Sequence, residues 1–235
     1  MTMLAKLKKE LKTKAKSKRA KASMRYFKTG EGEYGEGDIF MGVTLLEQHR
    51  IAKKYKDLNL NDLNKLLTSK IHEHRLVALD ILVHKYNREN GGNKRKLVNF
   101  YLRNTKRVNN WDLVDGSAPR ILGNYLLDKD KSILYKLAKS TNLWERRISI
   151  MATSIFIRNN KFQDTFKISK ILLNDDSDLI HKAVGWMLRE IGKRSLEKEE
   201  SFLKKYYQKM PRTMLRYAIE KFPEKRRQAY LKGEI

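Results

Sequence analysis

The spacing of apolar residues predicts helices along almost the whole chain. In the segment from His74 to Tyr86, apolar side chains recur every three or four positions, which is the period of one helix face. Asn59 stands just before another apolar run and is the predicted N-cap of that helix. The run Asn90-Gly91-Gly92-Asn93 is predicted to break the helix before it. Only three prolines occur, and strand-like alternation is hard to find, so the pattern predicts an all-α fold.

The helical pattern also repeats along the chain. Related apolar helices recur first at an offset of about 40 residues and then at about 32 to 35 residues, and further amphipathic helices alternate with them. Residues near the starts of the recurring helices are Arg75, Asp115, Arg147, Lys182 and Arg216. Paired helices at this period are typical of an α-solenoid of the HEAT or armadillo kind. The prediction is a single α-solenoid domain over residues 1–235, with helical repeats over 39–232 and these residues along one concave, mostly positive groove.

Two segments precede the repeats. Residues 1–23 are strongly basic, and Leu4, Leu7 and Leu11 give them one thin apolar stripe at helical spacing. Either a solvated tail or a basic helix lying against phosphates fits this composition. Residues 29–38 contain the glycine spacing of a dinucleotide-binding loop, but the glutamates among them would repel a pyrophosphate. This segment is predicted to be a flexible acidic loop or a short hairpin.

The charge points to a polyanionic partner. The chain has 52 Lys and Arg residues against 27 Asp and Glu, a net charge of +25, which fits nucleic acid or an acidic membrane surface. A positive groove suits double-stranded DNA better than a membrane plane. There are no cysteines, which excludes disulfides and thiolate metal sites. Without an apolar spanning run or a secretory h-region, the expectation is a soluble, cytoplasmic protein associated with the bacterial nucleoid.

The segment from Asn109 to Pro119 holds the residues best suited to chemistry. If it starts a helix, Trp111 and Asp115 lie four residues apart, so an indole and a carboxylate share one side. An ordinary capped helix whose tryptophan enters the core explains the same pattern. His72-Glu73-His74 lacks the spacing of a metal site on a helix, and neither a phosphate-binding loop nor a serine-nucleophile motif occurs.

One reaction needs little more than a carboxylate, aromatic rings and cations. A purine alkylated at N3 or N7 is already positively charged and leaves its sugar without protonation. A carboxylate can stabilise the sugar cation and orient water, while aromatic faces favour the cationic nucleotide. Basic side chains can hold the flanking phosphates. Asp115, Trp111, Trp186 and Arg147 could supply this set, although the apolar surroundings of Trp186 also fit a core residue.

Three motifs in order resemble the DNA alkylation repair family of HEAT-like-repeat DNA glycosylases. They are Asn-Trp-Asp-x-Val-Asp-x-Ser-Ala-Pro at 110–119, Leu-Trp-Glu-Arg-Arg at 143–147 and Ile-His-Lys-Ala-Val-Gly-Trp-Met-Leu-Arg-Glu at 180–190. The resemblance covers residues from about Met24 to about Phe222. It implies a curved helical solenoid that wraps duplex DNA and releases N3- and N7-alkylated purines without drawing the base into a pocket.

The resemblance also assigns roles residue by residue. Asp115 matches the catalytic carboxylate, Trp111 and Trp186 match the aromatic residues that flank the lesion nucleotide, and Arg147 matches the basic residue beside them. Tyr26 aligns with a tyrosine near the N-terminal helices. The residues predicted to bind DNA are Tyr26, Arg75, Lys182, Arg189 and Arg216. The expected protein is a monomer that needs no cofactor and no metal.

The chain departs from the family pattern at three places. Asn110-Trp111 stands where the best-known members have two successive tryptophans, Leu179 and Ile180 replace aromatic residues, and the loop 29–38 is longer. The family also includes subgroups that bind branched DNA and lack glycosylase activity, so a non-catalytic binder of branched or distorted DNA is the alternative. A solenoid scaffold for an acidic protein partner is a further alternative, of a different class.

Overall fold

The computed structural model describes residues 1–235 and contains helices but no β-strand, which confirms the all-α prediction. A single isolated bridge pairs Ile39 with Ile71. The chain forms two compact units, Met1–Ser117 and Ala118–Ile235. No helix combines the length and the apolar character that crossing a membrane requires.

The first unit is built around one buried helix. Its helices are α1 (Met3–Thr13), α2 (Ser17–Tyr26), α3 (Leu45–Lys54), α4 (Leu60–Leu67), α5 (His72–Arg88), α6 (Gly91–Arg103), a 3-10 turn (Thr105–Arg107) and α7 (Trp111–Ala118), whose last residue begins the second unit. Helices α3, α4 and α6 pack against α5. Because α5 is surrounded, even its first four residues, His72 to Arg75, are buried, and polar groups there need internal partners.

Local signals set several helix boundaries in this unit. The Asn59 side chain accepts a hydrogen bond from the backbone N–H of Asp62 at 2.9 Å, so the predicted N-cap is confirmed. Helix α5 ends at Arg88, as the glycine run predicts, but the next helix already begins at Gly91. The break is therefore only two residues long, and Gly91 enters α6 with a φ of 52°.

The basic N-terminal segment is helical and docked rather than a free tail. It forms α1 and α2, which meet at Lys14–Lys16, instead of one continuous helix. Leu7 and Leu11 are fully buried, as the apolar stripe predicts. The Glu10 carboxylate accepts hydrogen bonds from Lys54 at 2.6 Å and Tyr55 at 2.9 Å, which ties α1 to α3.

The Gly- and Glu-rich segment forms a series of turns, not a hairpin. The backbone N–H of Gly35 donates to the Lys28 carbonyl at 2.9 Å. The carboxylates of Glu33 and Glu36 accept hydrogen bonds from the backbone N–H groups of Gly30 and Gly32, at 2.9 and 3.0 Å. These glutamates therefore occupy the donors that a bound phosphate would need.

The second unit consists of paired helices. Its elements are a π-helical turn (Pro119–Gly123), α8 (Asn124–Leu126), α9 (Ser132–Ala138), α10 (Leu143–Ala152), α11 (Ser154–Arg158), α12 (Gln163–Ile171), α13 (Asp178–Gly192), α14 (Leu196–Tyr206), a 3-10 turn (Tyr207–Lys209), α15 (Arg212–Ala218), a 3-10 turn (Ile219–Lys221) and α16 (Glu224–Lys232). Helices α10, α13 and α15 pack side by side, and α9, α12 and α14 pack against them. The predicted alternation of helices is confirmed in this unit.

Candidate functional site

Helix α7 begins where the sequence predicts, and its first turn is capped from within. The Asn110 side chain is fully buried and accepts a hydrogen bond from the Trp111 N–H at 2.8 Å. Trp111 and Asp115 are both half-buried, so neither lies in the closed core. Four residues apart on one helix, they share a side of α7. Trp111 is therefore not a fully buried core residue, and its functional role stays a prediction.

Asp115 lies near two hydroxyl groups that are hydrogen-bonded to each other, those of Tyr101 and Ser117. The Tyr101 hydroxyl lies 3.1 Å from Oγ of Ser117, and that oxygen donates to the Leu113 carbonyl at 2.6 Å. Burial raises the pKa of Tyr101, and the nearby Asp115 carboxylate raises it further. Ser117 is buried and already engaged, which leaves it poorly placed to act as a nucleophile.

An aromatic cluster of Tyr26, Phe27, Phe40, His72 and Trp111 surrounds the start of α7. Phe27 stacks on Trp111, with ring centroids 5.2 Å apart, and Phe40 stacks on Phe27 at 5.0 Å. Tyr26 meets Trp111 edge-on at 5.7 Å and is 67% exposed. The structure therefore brings the predicted residues Tyr26 and Trp111 together. Stacking of this kind holds an indole in one orientation.

Within this cluster, His72 joins two carboxylates. Its Nε2 atom lies 2.8 Å from Asp112 and its Nδ1 atom lies 3.2 Å from Asp38. Burial opposes a charge on this imidazole, but the hydrogen bonds to Asp112 and Asp38 outweigh it and raise the pKa of His72 above its ordinary value. The pair Asp38–Arg75 adds a second cation, with Nη2 of Arg75 2.6 Å from the carboxylate.

Glu73 fixes the segment that leads to this cluster. Its carboxylate accepts hydrogen bonds from the backbone N–H groups of Met41, Gly42 and Val43, the shortest being 2.7 Å to Gly42. Gly42 has a φ of 77°, and a Cβ there would lie 2.3 Å from the Lys16 carbonyl. Only glycine fits this close approach to the N-terminus of α2, the helix that ends in Tyr26.

Among the predicted residues of the first unit, Arg75 is placed differently from Tyr26. The sequence predicts Arg75 at a DNA-facing groove, yet only 3% of it is exposed and it is held by Asp38 and the Ser69 carbonyl. Its DNA-binding role stays a prediction. Phe27, Asp38 and His72 were missed as site residues. The Tyr26-Phe27 pair and the buried polar start of α5 were the only sequence signals for them.

In the second unit, two consecutive arginines of α10 contact the chain near the start of α13. Arg146 forms a two-point ion pair with Asp175, at 2.6 and 3.2 Å. Arg147 is 5% exposed and donates to the Leu179 carbonyl at 2.6 Å. The predicted phosphate-binding residue is thus a buried side chain with a fixed direction.

Helix α13 carries three further predicted residues. Trp186 is half-buried rather than part of the core, and its Nε1 donates to Glu190 at 3.1 Å. Lys182 lies 2.6 Å from Asp178, and Arg189 forms an ion pair with Glu220. The remaining predicted residue, Arg216 on α15, is exposed. Tyr26, Arg75, Trp111 and Asp115 belong to the first unit, whereas Arg147, Lys182, Trp186, Arg189 and Arg216 belong to the second.

Comparison with known proteins defines the class. The family model described as DNA alkylation repair enzyme matches residues 7–222. The chain belongs to this DNA alkylation repair enzyme family. Among solved structures, it resembles a predicted DNA alkylation repair enzyme from Enterococcus faecalis, with a TM-score of 0.69, 16% identity, and coverage of 90% of this chain and 98% of that one. That likeness shows the shared fold. No curated protein matches the sequence.

Proposed function

We infer that this protein is a DNA glycosylase that hydrolyses the N-glycosidic bond of N3- or N7-alkylated purines in duplex DNA. The observation that carries the proposal is the pairing of Trp111 and Asp115 on one side of α7, both half-buried, beside exposed Tyr26. Membership in a family of DNA alkylation repair enzymes supports the choice of substrate. The net charge of +25 supports binding to DNA. Such a protein would work as a HEAT-like monomer at the nucleoid.

Asp115 has the central role in this proposal. An alkylated purine carries a positive charge and leaves without a general acid, so the sugar is the group that needs help. As the bond to the base breaks, the carboxylate of Asp115 stabilises the positive charge that develops on the sugar and orients a water molecule. The water adds its hydroxyl group to the sugar and loses one proton to solvent, so the products are the neutral free base, an abasic sugar and a proton.

The aromatic residues favour a cationic nucleotide. Trp111 is held in place by its stack on Phe27, and Tyr26 adds a second, exposed ring. A cation near such ring faces is attracted by their negative centres. The proposal gives Trp186 a similar contact with the nucleotide. Arg147 is assigned to a backbone phosphate, and Lys182, Arg189 and Arg216 to neighbouring phosphates.

Arg75 is the exception among the predicted DNA-binding residues. Because both side chains of its ion pair with Asp38 are buried, at 3% and 5% exposure, we assign it a supporting role at Asp38 instead of a direct phosphate contact. Removing the Arg75 side chain should therefore disturb the aromatic cluster. The salt dependence of DNA binding should stay nearly unchanged, because no phosphate contact is lost.

The test is release of free base from duplex DNA that contains N7-methylguanine. Asp115→Asn should lower the rate at least about a hundredfold, as expected for a lost electrostatic stabiliser, while DNA affinity stays nearly unchanged. Asp57→Asn is the matched control, because Asp57 is an exposed carboxylate whose partner is Arg88. Equal loss of activity and binding in Asp115→Asn would contradict the catalytic role.

The same assay separates the alternatives. Absence of base release by the wild type, with tighter binding to branched DNA than to plain duplex, would identify a non-catalytic DNA binder. A glycosylase that holds phosphates through basic side chains must lose DNA affinity as salt increases. Weak, salt-independent DNA binding would favour a scaffold for an acidic protein.

A further inference from the structure

A cleft between α12 and α14 lies on helices that carry none of the residues assigned above. It has a volume of about 330 Å³ and is lined by phenylalanine, tyrosine, lysine and serine side chains. No carboxylate lines it. We call it the lysine–aromatic cleft. Its residues all belong to the second unit, so its geometry depends on that unit alone.

Three rings form a continuous row along the cleft. Phe166 stacks on Phe202 with centroids 5.1 Å apart and planes 14° from parallel. Tyr206 follows, 4.7 Å from Phe202 and tilted by 41°. Phe202 is buried, whereas Phe166 and Tyr206 are half-buried and line the opening. The two outer rings therefore present aromatic surface to a ligand.

Exposed lysines from both helices flank this row. Lys167 and Lys170 project from α12, and Lys198 and Lys205 project from α14. The Lys170 ammonium stands over the Tyr206 ring, 5.9 Å from its centre. With no acid in the lining to neutralise them, these ammonium groups give the cleft a positive potential that a chain of phosphates would complement.

The cleft continues into a second one of about 680 Å³, with which it shares Phe166 and Lys198. The Lys198 ammonium lies 5.1 Å from the centre of the Phe162 ring, which also lines the second cleft. Two carboxylates line this extension, Asp128 paired with Lys161 and Asp164 accepting from Tyr135, but four lysines outnumber them. The two adjoining clefts together form a continuous track of rings and cations.

We propose that this track binds a segment of single-stranded nucleic acid. Unpaired bases expose flat faces that can stack on Phe166 and Tyr206, while successive phosphates meet the lysines. Bases in a duplex are already stacked on each other and cannot reach rings recessed between two helices. A lipid surface would demand protruding apolar side chains, whereas these rings lie inside a cleft. The proposal requires neither Asp115 nor Trp111.

The first test is fluorescence anisotropy with labelled oligothymidylate of about twelve nucleotides, a length within the range bound by known single-strand sites. Tyr206→Ala should weaken binding about tenfold, since one stacking face is lost. Tyr206→Phe is the matched control, because it keeps the ring, and should bind like the wild type. Equal weakening in both variants, or in neither, would overturn the stacking role.

The second test separates the cleft from the general positive charge. Lys170→Glu with Lys205→Glu should weaken oligothymidylate binding far more than Lys209→Glu with Lys225→Glu, exposed lysines of the same unit that lie outside the cleft. Both double variants have the same net charge. Equal losses would show that binding follows charge alone and would overturn the proposal.

The third test locates the strand directly. Oligothymidylate carrying 4-thiothymidine, irradiated with the full-length protein, should cross-link to peptides of α12 and α14 that contain Phe166 or Tyr206. Cross-links confined to other helices would overturn the assignment. Equal competition by free thymidine monophosphate would indicate a mononucleotide site instead. If vesicles of equal parts phosphatidylglycerol and phosphatidylcholine compete with oligothymidylate for the wild type, and direct vesicle binding is lost in the Lys170→Glu, Lys205→Glu variant, the cleft is a membrane site and the proposal is overturned.

These outcomes are independent of the glycosylase assay. If the protein fails to release N7-methylguanine but binds oligothymidylate in this cleft, the proposed glycosylase activity is contradicted and the single-strand site is supported. Release of N7-methylguanine without binding of oligothymidylate in the cleft would contradict only the single-strand site. Thermal unfolding of every variant, followed by circular dichroism, establishes that a loss of binding is not a loss of fold.

Discussion

The Nε2 atom of His72 lies 2.8 Å from Oδ2 of Asp112, so the first residue of α5 is tied to the first turn of α7. The other ring nitrogen faces Asp38, at the end of the Gly- and Glu-rich segment. One buried imidazole, itself part of the aromatic cluster, thus connects three parts of the chain. Its loss should be felt both in stability and in the position of Trp111.

Replacing His72 by Gln should destabilise the protein. Two carboxylates would lose the cation between them, and removing one partner of a buried ion pair costs about 3–5 kcal/mol. Urea unfolding at neutral pH measures this change. His49→Gln is the control, since His49 pairs with Asp80 at the surface and such pairs contribute at most about 1 kcal/mol. Similar losses in both variants would contradict the bridging role.

The contribution of His72 should depend on pH in a defined direction. Its pKa is raised above the ordinary 6.5, because the hydrogen bonds to Asp112 and Asp38 outweigh burial and the opposing charge of Arg75. The folded state therefore holds its proton longer than the unfolded state does. The stabilisation is complete below the unfolded pKa and is lost as pH rises through the folded pKa.

The difference in unfolding free energy between wild type and His72→Gln should accordingly be largest at about pH 6 and shrink toward about pH 9. Urea titrations across this range provide the measurement. A difference that grows with pH would mean that the imidazole is neutral in the folded protein.

Glu199, in contrast to His72, should destabilise the folded protein near neutral pH. Burial, and then the charge of Glu200, raise the pKa of Glu199 to about 8 from 4.5, although Arg189 opposes the shift. The folded state keeps a proton that the unfolded state releases, so this group lowers stability as pH rises from 4.5 to about 8. Glu199→Gln removes the penalty because the amide stays neutral.

The gain from Glu199→Gln should be larger at about pH 8 than at about pH 5, by roughly 3 kcal/mol for this buried group. Urea unfolding at the two pH values tests it. Glu197→Gln, on the exposed side of the same helix, should give no such increase. A gain that does not change with pH would contradict the raised pKa.

Two helical glycines should respond to alanine with opposite signs. A Cβ at Gly185 would lie 2.4 Å from the Met214 carbonyl, where α13 and α15 pack, so Gly185→Ala should cost about 1–3 kcal/mol or more through overpacking. A Cβ at Gly116 would meet nothing within 4 Å, so Gly116→Ala should add about 0.5–1 kcal/mol. Thermal unfolding distinguishes them, and the same sign for both would refute the close contact.

Phe27 should matter for activity through Trp111. Phe27→Ala removes the ring stacked on the Trp111 indole. Because the indole is then no longer held in place, the single-turnover rate of base release should fall about tenfold or more. Phe100→Ala, a half-buried ring on α6 outside the cluster, is the control. An unchanged rate in Phe27→Ala would show that the stack does not position the indole.

The helices could be read from the sequence because apolar spacing reports burial directly. The Asn59 cap and the start of α7 are also local, and both agree with the pattern. The break between α1 and α2 is different, since neither proline nor glycine marks it. It coincides with a tertiary contact, in which the Lys16 N–H donates to the Met41 carbonyl at 3.0 Å.

Only part of the candidate site could be predicted, because local sequence patterns do not report contacts between residues that are far apart in the chain. Tyr26, Trp111 and Asp115 stand in recognisable motifs. The partners of His72 are 34 and 40 residues away in the chain, and Arg75 meets Asp38 across 37 residues. No local period encodes such pairings. Arg75 therefore fits the local pattern of a groove residue, whereas its ion pair with Asp38 in a distant turn could not be predicted from that pattern.

The docking of α1 and α2 has a consequence for any polyanion that meets them. Leu7 and Leu11 are fully buried, and the Arg19 guanidinium donates to the Gly42 carbonyl at 3.1 Å, with Gly42 itself held by Glu73. The basic surface is therefore preorganised. A partner pays no conformational entropy to fold these helices, and their charge acts already during the encounter, where it raises the association rate.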